Sequence, residues 1–175
     1  MDKNEAKELL SFHSTRNEDI DNMKWEKGFL GSLRPFRREL YEENFFEVME
    51  CLRALKDEFS GIAIEKDIIS DIVAIIHYPR VWLAPEGMLG SNHLLTEEQN
   101  KHLLAWTDII ESCFMFLLED DVEDAFIDYE DYLNENKEQS DADTSGHVGP
   151  KIRVWGEPQQ AAFVPLVATE ALLAT

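Results

Sequence analysis

The chain has 175 residues, 36 of them Asp or Glu against 16 Lys or Arg, for a formal charge of −20. That length suits one domain with a short appendage, and an apolar content of 44 % is too high for wholesale disorder. So acidic a surface repels phosphate backbones, which argues against direct nucleic-acid binding over most of it.

The opening residues Met1-Asp2-Lys3-Asn4-Glu5 are charged where a secretory leader would be apolar. The densest apolar run, Ile68 to Ile76, is interrupted by Ser70 and Asp71 and is too short to span a bilayer. The expectation is a soluble, cytoplasmic protein with no membrane contact. Cys51 and Cys113 each sit in an apolar helical stretch far from the other, as reduced, buried thiols do.

Helical spacing dominates the chain. Asp2 to His13 places Ala6, Leu9 and Leu10 on one face, and a second short helix is predicted from Glu18 to Leu30, weakened at its end by Gly28 and Gly31. Ser32 followed by Pro35 predicts the start of a long helix reaching Phe59, with Tyr41, Phe45, Val48, Leu52 and Leu55 on its buried stripe. Isoleucines fill Glu65 to His77, where Asp67 and Asp71, four apart, favour a helix over a buried strand; Pro79 is expected to stop it. Tyr78 to Leu95, with two prolines and two glycines, reads as an apolar loop containing one helical turn at Arg80 to Ala84.

Thr96-Glu97-Glu98-Gln99 has the pattern of a capping box. The helix behind it carries Leu103, Trp106, Ile110, Cys113, Phe114 and Leu117, with Ile109 and Phe116 making it nearly apolar all round, as a central helix would be. The helix continues, or breaks briefly near Glu119-Asp120, into Val122, Ala125, Phe126, Tyr129 and Leu133, which hold the same spacing, and ends by about Asn136. Residues 137–150 have the composition of a flexible acidic linker. Beyond it, Lys151 to Trp155 alternates like a short strand, and the apolar stretch from Ala161 to Thr175 should dock on the body, on a partner or on a second copy. The fold class is therefore all-α: a compact bundle of five or six helices over residues 1–136, the linker, and a C-terminal strand or helix segment at 151–175.

Charge is distributed unevenly. Between Glu119 and Asp143 twelve carboxylates face a single cation, Lys137. On a helix, the stripe Val122, Phe126, Tyr129 and Leu133 leaves Asp120, Asp121, Asp124, Asp128 and Asp131 on the outer arc. Such an arc either keeps the protein soluble or steers it onto a basic protein. Trp82, in the apolar loop, and Trp155, in the alternating segment, are the candidate anchors for such a contact. In the opposite sense, Lys24, Lys27, Arg34, Arg37 and Arg38 against Glu26 make positions 24–38 basic, for local ion pairs first and for anion binding or self-association second.

Motifs of catalysis are missing from the pattern. The five histidines lack the spacing of a zinc or di-iron site, and no phosphate loop or nucleophile elbow occurs. Asp141-x-Asp143-x-Ser145-Gly146-x-Val148 imitates the start of a calcium loop, but Pro150 and Ile152 occupy positions that the loop needs otherwise. No cofactor, metal or enzymatic activity is therefore expected. In general character (small, strongly acidic, helical, without motifs) the chain looks like the bacterial immunity proteins and inhibitors that neutralise a basic toxin or nuclease. That likeness implies a protein-binding module with a basic protein partner. The rival readings are an adaptor subunit that uses its C-terminal segment, including self-association through it, and a metal-dependent enzyme.

Overall fold

Six α-helices and no strand make up the described residues: α1 (Lys3–His13), α2 (Met23–Lys27), α3 (Glu42–Phe59), α4 (Lys66–Leu83), α5 (Glu97–Leu118) and α6 (Ile127–Asp143). They come from a computed structural model that describes residues 1–61 and 63–143, with side chains through Lys137. Trp155, the alternating segment, the apolar C-terminal stretch and most of the calcium-loop-like run lie outside the described residues. Met1–Lys137 form one compact unit.

The helix boundaries follow local chemistry where caps exist. The Asp2 carboxylate accepts from the Asn4 and Glu5 amides at 2.9 Å each while Glu5 reaches back to the Asp2 amide, a closed capping box at the start of α1. Thr96 and Gln99 form the predicted box at the start of α5, at 3.0 and 3.1 Å. α1 packs on α3 and α4, and α5 packs on the same two helices, so the four enclose a common core. α3 supplies Phe45, Val48, Met49, Leu52, Leu55 and Phe59 to it. The Phe45 ring stacks on Trp106 at 5.7 Å and meets Tyr129 and Tyr132 edge-on, which ties α3, α5 and α6 through one aromatic cluster. α5 is less enclosed than its composition predicts, because Leu104, Met115 and Leu118 form an exposed outer edge.

Three expectations give way to tertiary contacts, and α6 runs on to Asp143, past the expected end near Asn136. No helix starts at Ser32: α3 begins after Tyr41, and residues 28–40 form turns with a single bridge between Leu33 and Phe36. Pro35 disfavours helical backbone at Arg34, and the turn before it is tied to α1, with the Leu30 amide donating to the His13 carbonyl at 2.9 Å. The helix predicted from Glu18 shrinks to α2, which buries no residue and hence has no apolar face to hold it. Gly31 is required here, since a Cβ would lie 2.1 Å from the Trp25 carbonyl oxygen. Pro79, in turn, does not stop α4, which runs on to Leu83. The pyrrolidine ring is buried, and the following loop satisfies the end of the helix, with the Leu89 and Gly90 amides donating to the Trp82 carbonyl at 2.8 and 3.0 Å.

A buried polar knot positions α2 and the turn after it. His13, fully buried, accepts from the Phe29 amide on Nδ1 at 3.0 Å, so its proton sits on Nε2 and is donated to Glu47 at 2.8 Å. Lys24 closes on the same Glu47 carboxylate, and Asn44 donates to the Lys27 carbonyl at 2.8 Å. Burial holds the His13 imidazole below its ordinary pKa of 6.5, and the hydrogen bonds from His13 and then Lys24 hold the Glu47 carboxyl down at about 2. Burial also pushes the Cys51 and Cys113 thiols up to about 12, as inert core groups.

Both groups of the knot bind protons more weakly folded than unfolded, so their stabilisation is complete above the unfolded imidazole value of 6.5. It should fall as pH drops through that value, and again from 4.5 towards about 2 as Glu47 is protonated. Urea denaturation at about pH 7.5, 5.5 and 3.5 checks this, and Glu47→Gln should flatten the lower limb. A midpoint independent of pH across that range would contradict the knot.

Candidate functional site

The acidic run forms a corner where α5 hands over to α6. Ala125, Phe126 and Tyr129 turn inward and are buried, with Val122, Tyr132 and Leu133 packed beside them. The carboxylates are thereby left on the outside. Three have local partners: Asp121 accepts from the Asp124 amide at 3.2 Å, Asp128 from the Ser112 hydroxyl at 2.7 Å, and Glu130 lies 3.7 Å from Arg53. Arg53 also lies over the Phe126 and Tyr129 rings, 5.0 and 5.7 Å from their centroids. Glu119, Asp120, Glu123, Asp124, Asp131 and Glu135 are exposed, and their carboxylates have no hydrogen bond or ion pair among the described residues.

Several of these acids work against the fold. Glu119, Asp120 and Asp121 follow the C-terminus of α5, whose last turn has no basic residue, so they meet the negative end of the helix dipole. Asp120 adopts a left-handed φ of 61° and closes the helix, with its amide donating to Leu117 O at 3.3 Å and the Asp121 amide to Phe116 O at 2.9 Å. Glycine is the residue that this position ordinarily takes. Asp124 and Asp128, by contrast, sit at the favourable positive start of α6.

Trp82 lies elsewhere. It lines an open groove of about 820 Å³ between the end of α1, the second half of α4 and the turn after α2, and none of the acidic-corner residues lines that groove. The run of α4 past Pro79 puts Trp82 one turn beyond Tyr78, where the two rings stack at 5.4 Å. Across from them stand Trp25, Leu30 and Gly31, held by the His13 knot. Arg16 and Arg34 add guanidinium groups. Arg16 Nε is 2.9 Å from Asp71, a buried carboxylate that also accepts from the Ser14 hydroxyl at 2.7 Å. Burial raises the Asp71 pKa despite those two partners. Arg34 is exposed and has no carboxylate within ion-pairing distance among the described residues.

The five candidate aspartates are therefore brought together at one corner, Trp82 is placed in a separate groove, and Trp155 falls outside the described residues. Sequence reasoning missed the groove because its walls belong to distant segments and to two places where helix signals misled. The basic segment from Lys24 to Arg38 and the candidate anchor Trp82 are its visible traces in the sequence. Among the described residues no three His, Cys, Asp or Glu side chains converge to hold a metal, and no helix is long and apolar enough to cross a membrane. No protein-family model, curated protein or solved structure matches the chain.

Replacing Asp120 by glycine should raise stability by about 0.5–1 kcal/mol, because it relieves a left-handed aspartate and removes a charge from the wrong end of the dipole. A urea midpoint at or below that of the unmodified chain would show that Asp120 is there for local structure.

Proposed function

We propose that this chain is a non-enzymatic, protein-binding module of inhibitor or immunity type, which docks on a basic protein through the corner between α5 and α6. The observation that carries the reading is the set of six exposed carboxylates without partners among the described residues, two of which, Glu119 and Asp120, crowd the negative end of a helix. Solubility could be had from acids at any exposed position. Concentrating them where they oppose a helix dipole costs stability, which favours a partner that supplies the missing positive charge.

The aspartates Asp120, Asp121, Asp124, Asp128 and Asp131 would act chiefly in encounter, drawing a basic surface into register, because exposed charges change association rates more than dissociation rates. The exposed apolar edge of Leu118 and Ile127, beside the same corner in sequence, offers area for short-range contact once the partner is near.

Proteins retained from a native-host extract by the immobilised chain at about 50 mM salt should be predominantly basic and should be released by about 300 mM, as screening shortens the Debye length. For a retained protein, the quadruple variant Asp120→Asn, Asp121→Asn, Asp124→Asn, Asp128→Asn should lower the association rate about ten-fold or more, with little change in dissociation. Retention that ignores salt, or a variant that associates as fast as the unmodified chain, would overturn the reading.

A further inference from the structure

The groove between α1, α4 and the turn after α2 has a chemistry opposite to that of the rest of the molecule. In a chain of charge −20, its mouth carries Arg34, with no acid partner among the described residues, and its walls carry Trp25, Tyr78 and Trp82. Val73 and Tyr78 expose 47 % and 44 % of their surface, so an apolar wall faces solvent. The Trp25 Nε1–H is buried and is the one such side-chain donor without an acceptor among the described residues. The hydroxyl groups of Thr15 and Ser70 and the His77 ring add hydrogen-bonding atoms around the same space. A volume of about 820 Å³ lies within the usual range for small-molecule sites, roughly 300–1,000 Å³.

From this combination we infer that the groove is a binding site for a small planar aromatic compound bearing a single carboxylate. The stacked pair Tyr78 and Trp82, one helical turn apart, offers flat apolar surface for the ring. Arg34 supplies the counter-charge, and a guanidinium matches a carboxylate with two parallel hydrogen bonds. The charge count sets the ligand's valence. Arg16 is already engaged by Asp71 at 2.9 Å, which leaves about one uncommitted positive charge. A polyphosphate would bring several negative charges to a strongly acidic molecule with too little to neutralise them, so nucleotides fit poorly. The site does not involve the acidic corner, and its occupancy does not depend on a protein partner.

Isothermal titration of the full chain with naphthaleneacetate, its neutral analogue naphthaleneacetamide, and ADP tests the assignment. The acid should bind saturably at one site per chain, the amide about ten-fold or more weakly, and ADP not measurably. Arg34→Gln, at an exposed position, should weaken the acid about ten-fold and leave the amide unchanged, with circular dichroism confirming the fold. Tyr78→Ala should weaken acid and amide alike, with helicity by circular dichroism confirming that the variant is folded. No saturable binding of the acid at millimolar concentration, equal affinity for acid and amide, indifference to Arg34→Gln, or tighter binding of ADP would each overturn the inference.

Discussion

The contact on which most of the molecule depends is the partly buried hydrogen bond between His13 and Glu47, with the Phe29 amide on one side and Lys24 on the other. α2 buries no residue, so hydrophobic packing cannot decide where it lies. Its position is decided by polar groups that must be satisfied once they leave water: an imidazole with one fixed tautomer, a carboxylate, and the amide and carbonyl groups of the turn. With that turn pinned, Phe29, Leu30 and Leu33 enter the core, and Trp25 and Gly31 become one wall of the groove. A core group and a surface site thus share one anchor.

The charge of the molecule is organised rather than spread evenly. Many cations are consumed locally: Lys3 and Lys7 on Glu58, Arg16 on Asp71, Lys24 on Glu47, and Arg80 on Asp108 and Glu111. Among the described residues the corner between α5 and α6 receives little of that compensation, and the groove retains an uncommitted guanidinium. Two regions of opposite character result, an acidic one suited to a basic surface and a cationic, aromatic one suited to a small anion. Screening over about 8 Å at physiological ionic strength lets each act without cancelling the other where they are farther apart than that.

What the chain states outright, it states through short-range chemistry. The box at Thr96-Gln99, the buried stripes of α3 and α5 and the outward arc of acids all follow from spacing along a helix, which needs no knowledge of neighbours. Pro79 and Ser32-Pro35 mislead for the complementary reason. The stop at Pro79 is overridden by a loop that returns to the Trp82 carbonyl, and the start at Ser32 by a turn tied to α1 through the Leu30 amide and the His13 carbonyl. Those energies arise between segments far apart in the chain, where local propensity has no say.

By itself, then, the sequence determined the helical class, the existence of the main helices but not all their ends, and the clustering of negative charge, because each depends on residues within a turn or two of one another. Only the tertiary structure decided that Trp82 faces a groove instead of the acidic corner, that Arg34 has no ion-pair partner among the described residues, and that His13 is a buried tether. Those outcomes depend on which distant side chains meet, and burial and desolvation set their energies only after the chain has closed on itself.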